Sequence, residues 1–323
     1  MTKNDTRTEM VDAVVVGAGF AGLYLLHKLR GMNMTVRVVE AGSEVGGTWF
    51  WNRYPGARCD IESMQYSYSF DEGLQQDWSW SERYATQGEI LDYLNHVADR
   101  FDLRKDIAFD TRVASASLDE ASGRWQVSCD TGAVYSARYC FMATGCLSSG
   151  DIPKLPGLDR FGGRIFRTGT WPKEEISFEG RKVAVIGTGS SGTQAIPQIA
   201  KQAETLYVLQ RTPNFSIPAR NLEITEEIER SWKSDYAAIR KKAREEFPNG
   251  TIRTIGEKSA KSVSAEERER IFEEGWKRGG IDFMWVFSDL ATDDDSNAYA
   301  SDFVRRKIAQ LVEDPEVADR LTP

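Results

Sequence analysis

Histidine is almost missing from this sequence: His27 and His96 are the only two among 323 residues. Both sit in stretches with helical spacing and read as packing residues. Cysteine is also sparse. Cys59, Cys129, Cys140 and Cys146 form no CxxC pair, so neither a structural zinc site nor any other bound metal is expected. No run of about 18 apolar residues occurs, which argues against a membrane span. The opening MTKNDTRTEM is polar and lacks the apolar centre of a secretory signal. Basic residues are outnumbered, 41 to 49, giving a net charge of -8. Such a balance disfavours nucleic acid as a partner. What remains is 41% apolar and 28% charged, a globular composition with a real core. Reduced thiols and a cytoplasmic location are the expectation.

Glycine, by contrast, recurs in two short patterns. The first is GAGFAG, after an apolar run from Val11 to Val16. A short valine-rich run bounded by charge and glycine is the pattern of a buried parallel strand. Gly17 permits a tight turn. Gly19 lets a pyrophosphate approach the backbone, and Gly22 lets the following helix lie close to the sheet. The N-terminus of that helix can hold phosphate through its free N–H groups. A second strand, Thr35 to Val39, ends at Glu40, an acid placed to accept hydrogen bonds from a ribose with a free 2′-hydroxyl. FAD or NAD has such a ribose. Glycines serving only the fold are the alternative.

The second pattern is GTGSSG, with Gly187, Gly189 and Gly192 between a strand from Lys182 to Ile186 and a helix from Ser191 to Lys201. The next strand, Leu206 to Leu209, ends not in an acid but in Gln210, Arg211 and Thr212. An acid repels a 2′-phosphate, whereas a guanidinium grips it with several donors. This site is expected to take NADPH, with Arg211 as a merely solvated cation the alternative. Two nucleotides of these kinds in one chain imply electron flow from nicotinamide to flavin. The expected fold class is α/β, with two dinucleotide-binding (Rossmann-like) domains and a helical insertion.

Around these patterns, Gly47, Thr48 and Trp49 open an aromatic, arginine-rich loop that runs to Asp60, and loops beside a nucleotide usually serve it. An aromatic minicore, with Asp60 as a capping acid, is the alternative. Gly88 to Phe101 reads as an amphipathic helix. Ile107 to Ala114, Trp125 to Cys129, Ala133 to Tyr139 and Tyr139 to Thr144 read as strands. Thr144 and Gly145 at the last strand's tip allow a ligand close to the backbone. The expected divisions are 1–147 for the FAD-binding domain, 148–160 for a linker rich in Pro, Gly and Ser, 161–220 for the NADP-binding domain, and 221–323 for a helical cap. In that cap Ser264 and Glu267 form a capping box. Asp302 to Val312 forms a helix with Phe303, Ile308 and Leu311 buried. Asp293, Asp294 and Asp295 read as a solvated turn rather than a metal loop.

GAGFAG, GGTWFWNRYPGARCDIES, GTGSSG and QRTPNFSIPARN together resemble the Baeyer–Villiger flavin monooxygenases, most of all the phenylacetone and steroid monooxygenase branch. The likeness covers nearly the whole chain. It implies FAD at Gly17, Gly19, Gly22, Glu40, Gly47, Thr48, Trp49, Asp60, Thr144 and Gly145. It implies NADPH at Gly187, Gly189, Gly192, Arg211 and Thr212, and a ketone converted with O2 to an ester or lactone. The family signature FxGxxxHxxxWP reads FGGRIFRTGTWP here, so Arg167 stands where the family has histidine. Asp60 matches the acid that supports a catalytic arginine, and no residue of this chain matches that arginine. Family members are longer. The resemblance therefore implies an N-terminal part whose C-terminal completion, including return strands of both nucleotide domains, is missing. A catalytically inactive nucleotide-binding fragment and an N- or S-oxygenating flavin monooxygenase are the alternatives. A disulfide reductase shares the two-pattern layout but needs a redox cysteine pair that the spacing does not offer.

Overall fold

The computed structural model describes residues 8–147, 155–247 and 249–323. In chain order β1 (Glu9–Val16), α1 (Phe20–Gly31), β2 (Val36–Val39), α2 (Thr48–Trp51), α3 (Glu72–Asp77) and α4 (Gln87–Arg100) come first. A run of strands follows: β3 (Ile107–Ala108), β4 (Val113–Asp119), β5 (Arg124–Cys129) and β6 (Val134–Met142). After them come β7 (Lys182–Ile186), α5 (Ser190–Ala200) and β8 (Thr205–Leu209). The chain then turns helical, through α6 (Glu226–Lys233), α7 (Tyr236–Glu246), α8 (Ala265–Arg278), α9 (Asp294–Leu311) and α10 (Pro315–Leu321).

Contacts divide the described residues into two units, one within 1–57 and 87–176, the other within 58–86 and 177–323. These bounds differ from the expected divisions. Segment 58–86 groups with the second unit, and 155–176 groups with the first. Residues 148–154 of the expected linker lie outside the described residues.

The first unit is built on a six-stranded sheet in the order β3-β2-β1-β6-β5-β4. β1 lies at its centre, parallel to both β2 and β6. Ala13, Val14 and Val15 are fully buried, as a central parallel strand covered on both faces requires. α1 buries Leu23, Leu26 and Leu29, and α4 buries Ile90, Tyr93, Leu94, Val97 and Ala98. Those spacings are single stripes of a 3.6-residue helix. The expected strand over 107–114 is two strands. Asp110 takes a left-handed φ of 49° between them, so β3 pairs with β2 while β4 pairs with β5. The two strands expected between 133 and 144 are one: β6 is long enough to pair with β5 at one end and with β1 throughout. A parallel return strand is thus present in this unit.

In the second unit β7 and β8 form a two-stranded parallel sheet in register from Lys182↔Thr205 to Ile186↔Leu209. The helical block beyond them has its own core, of Phe272, Trp276, Phe283, Val286, Phe287, Leu290, Phe303 and Val304. Phe272 is its hub, with the rings of Phe287 and Phe303 centred 5.2 and 5.3 Å away. Each such buried aromatic contributes on the order of 2–3 kcal/mol. α9 begins earlier than the expected Asp302, because Asp293 caps it by accepting from Ser296 N at 3.0 Å. The aspartates read as a turn therefore form a cap and first turn, where negative charge meets the positive end of the helix dipole. Phe303 is buried as expected, while Leu311 is 65% exposed.

Asp289 ties this block together. Its carboxylate accepts from Ser259 Oγ at 2.6 Å, Ala260 N at 3.0 Å and Ser296 Oγ at 2.7 Å. Desolvation pushes its pKa up, but these hydrogen bonds outweigh it and hold the pKa below the usual aspartate value. A depressed folded pKa stabilises the fold above the unfolded value of about 3.9, and that contribution is lost as pH falls through the folded value. Asp289→Ala is expected to cost about 1–3 kcal/mol at neutral pH by leaving three donors unmet. In thermal melts its deficit against the parent should shrink as pH is lowered below 4. A deficit unchanged with pH would contradict this role.

Candidate dinucleotide cradles

In the first unit the turn after β1 is dictated by sterics. Gly17 has φ +105°, and a Cβ there would stand 2.6 Å from Ala143 O, at the tip of β6. Its N–H donates to Val39 O at 2.8 Å, which fixes the turn to the end of β2. A Cβ on Gly22 would lie 1.8 Å from Gly17 O, so α1 can rest on the turn only with glycine at that position. Gly19 faces Gly47: a Cβ on Gly47 (φ +53°) would come within 2.9 Å of Gly19 Cα. Two bare backbones thus pack together near the C-terminal ends of the parallel strands, where such sheets usually take their ligands.

Glu40 is 5% exposed. Its Oε2 accepts from Ala18 N at 2.6 Å and its Oε1 from Gly42 N at 2.7 Å. The acid expected to face a ribose therefore also braces the glycine turn, a role the spacing alone does not reveal. Thr48 starts α2, with Gly47 as its cap. Trp49 is buried, and its carbonyl accepts from the Gln87 side-chain amide. Thr144 and Gly145 (φ +71°) are exposed just beyond β6. Arg167 is half-buried and caps a short 3₁₀ turn, Thr168–Thr170. Beyond it the Trp171 ring packs on Phe166 with centroids 5.2 Å apart. Lys173 Nζ donates to Ser43 Oγ at 2.7 Å and lies 5.0 Å over the Phe50 ring, which anchors this stretch to the loop after Glu40.

The second unit repeats the device. Gly187 has φ +101° and donates its N–H to Leu209 O at 2.8 Å. A Cβ on Gly192 would lie 2.3 Å from Gly187 O, whereas Gly189 has nothing within 4 Å of its missing Cβ. Arg211 and Thr212 follow β8 in the open, and Arg211 makes no ion pair among the described residues. Asp60 belongs to this unit, at the start of α5. It accepts from Ser190 Oγ at 3.4 Å and from Gln194 Nε2 at 3.3 Å. Gln194 also exchanges bonds with the Arg58 backbone, while Arg58 itself pairs with Glu82 at 2.8 Å. Gln194 carried no motif that would have singled it out.

Helix capping separates these two helices from others in the chain. Side chains of Asp71, Thr225, Asp235, Ser264, Asp293 and Asp314 cap α3, α6, α7, α8, α9 and α10. α1 and α5 begin at Gly19 and Gly189, with no side-chain cap and no acid in the first turn. Their first N–H groups are left for another acceptor, and a phosphate is the acceptor that fits.

Two glycine turns of this kind stand in the chain, one followed after its second strand by Glu40 and the other by Gln210 and Arg211. The chain belongs to the pyridine nucleotide-disulphide oxidoreductase family, whose model matches residues 14–278, and the expected likeness to Baeyer–Villiger flavin monooxygenases is borne out. It is 46% identical over 318 residues to a phenazine N-monooxygenase of Lysobacter antibioticus, covering 97% of this chain and 58% of that protein. It is 44% identical over 318 residues to a Baeyer–Villiger monooxygenase of Pseudooceanicola batsensis, covering 97% and 57%. A solved structure of oxidized steroid monooxygenase bound to NADP superimposes with a TM-score of 0.92 at 53% identity, covering 97% and 60%. The chain thus spans less than two thirds of each relative's length.

The word disulphide in the family's name finds no matching pair here: Cys59, Cys129, Cys140 and Cys146 are all free. Burial pushes the Cys59 thiol up to about 11, so at neutral pH it is a thiol and a poor nucleophile.

Because Glu40 meets two backbone donors, Glu40→Gln sets an amide N–H₂ against one of them. The expected cost is about 1–3 kcal/mol, read as a lower urea midpoint. An unchanged midpoint would show that the brace carries no weight.

Proposed function

We propose that this chain provides the two nucleotide sites of an NADPH- and FAD-dependent Baeyer–Villiger monooxygenase that converts ketones to esters or lactones with O2. The observation that carries this is the pair of uncapped helices over glycine turns, one with Glu40 and the other with Arg211 at the end of its second strand. The first cradle fits FAD. A pyrophosphate can lie over Gly19 and Gly47, where no Cβ intrudes, and Glu40 is a carboxylate suited to a free 2′-hydroxyl. The second fits NADPH, with its pyrophosphate at the start of α5 and its 2′-phosphate toward Arg211 and Thr212. The bound groups would supply hydride transfer and the activation of O2 that sets oxygen beside a ketone carbonyl.

The chain's own part is binding and orientation. Gly17 and Gly22 let the turn and α1 close together so that the free N–H groups at the start of α1, after Gly19, can meet the FAD phosphates, and Glu40 holds that turn in place. Gly47, Thr48, Trp49, Thr144 and Gly145 border the same crevice. Asp60, at the start of α5, is a positioning acid for a cationic partner group. Arg167, in the stretch anchored by Lys173, keeps a fixed positive charge where the family signature has a titratable histidine. A cytoplasmic location belongs to the same proposal and is supported by the free thiols. The greater length of the relatives supports a further segment of the same protein that completes the site.

The likeness to a phenazine N-monooxygenase favours oxygen transfer to nitrogen as a second reading. Product analysis with a cyclic ketone against an aromatic N-heterocycle, given FAD and NADPH, separates the two. Ester formation supports the first reading, and an N-oxide as sole product replaces it. Arg211→Ala is expected to weaken NADPH by roughly tenfold or more, the scale of a lost charged hydrogen bond, and to leave NADH within about twofold. Equal loss for both in a binding titration would remove Arg211 from the 2′-phosphate site.

A further inference from the structure

Glu40 and Gln210 hold the same place in their two cradles. Each directly follows the second strand, β2 or β8, of its unit. Each also bonds the middle residue of the glycine turn. Glu40 Oε2 accepts from Ala18 N, whereas Gln210 Oε1 accepts from Thr188 Oγ1 at 3.1 Å. Thr188 is held in turn, since its carbonyl accepts from Thr193 Oγ1 at 3.2 Å and Asn214 Nδ2 at 3.3 Å. We propose that Gln210, oriented by Thr188, is the residue that allows the second cradle to choose a 2′-phosphorylated dinucleotide, with Arg211 supplying the grip. This rests on the reading that the cradle binds NADP(H).

The chemistry runs as follows. An acid at position 210 would set a carboxylate where a ribose 2′-substituent arrives. A 2′-phosphate carries close to two negative charges, so that carboxylate would repel it and offset the charge of Arg211. An amide removes the repulsion without changing the shape. The Thr188 hydroxyl occupies the amide oxygen, and this orients the N–H₂ end. That end has no acceptor among the described residues and presents two donors to phosphate oxygens. Without Thr188 the amide is free to flip and offer its oxygen, an acceptor facing acceptors. The selection therefore resides in a neutral residue and its hydroxyl partner as well as in the arginine.

The experiment is calorimetric titration of the 323-residue chain with NADP⁺ and with NAD⁺, for the parent, Gln210→Glu and Thr188→Val. Gln210 is exposed, so the first variant should keep its unfolding midpoint, and the second gives an independent reading. Gln210→Glu is expected to weaken NADP⁺ by roughly tenfold to a hundredfold, the scale of one like-charge contact near a surface, with NAD⁺ unchanged or tighter. Thr188→Val is expected to weaken NADP⁺ by about threefold or more with NAD⁺ unchanged. Undiminished NADP⁺ binding by Gln210→Glu, or equal loss of both nucleotides in either variant, overturns the proposal while leaving the cradle intact. A parent chain that binds neither nucleotide overturns the cradle reading itself.

Discussion

The contact between a glycine and a carbonyl governs the rest of this molecule. Where Gly22 lies against Gly17 O, and Gly192 against Gly187 O, a helix meets a turn with no side chain between them. That approach aims the start of the helix at the crevice above the strand ends and leaves its first N–H groups open. Each neighbouring feature serves it. The parallel strands set the height of the turn through Val39 O and Leu209 O. Glu40 holds the middle residue of the first turn through a charge, and Gln210 holds that of the second by accepting from the Thr188 hydroxyl. Six helices, α3 and α6 to α10, close their starts with the side chain of an Asp, Ser or Thr, and these two do not.

The same device is built twice, and the two sites differ most at the end of the second strand. The turn geometry is common to both, with φ values of +105° and +101° at the first glycine. What changes is the residue after the second strand and its neighbour. A carboxylate there suits a hydroxyl; an amide followed by a guanidinium suits a phosphate. On the proposed assignment, discrimination between two chemically similar cofactors needs few residues, since the shared pyrophosphate part meets backbone.

Much of this was legible in the sequence, because glycine spacing reports backbone constraints directly. Gly17, Gly22, Gly187 and Gly192 stand where no other residue fits, and the burial of Val14, Leu23 and Ile90 follows from periodicity. The capping of α8 by Ser264 is equally local. What could not be read depended on contacts far apart in sequence. The bracing by Glu40 requires Ala18 N, 22 residues away, and Gln194 meets Asp60 across 134 residues. Asp110 gave no signal that it would turn left-handed and divide a strand. The aspartates at 293–295 had the composition of a turn. Only the buried Ser296, whose N–H meets Asp293, shows them to be the start of a helix.

The units are interleaved along the chain: one is interrupted by 58–86 and the other resumes only at 177. A ribosome therefore delivers residues 58–86 long before their partners exist. Arg83, which ends up bonded to the Arg278 carbonyl, must wait for 195 further residues. During that interval the stretch carrying Trp78, Trp80 and Tyr84 is uncovered, while the sheet around β1 can already close once β6 emerges. Synthesis should thus pass through a species with one finished half and a sticky aromatic loop, the kind of nascent state that chaperones recognise.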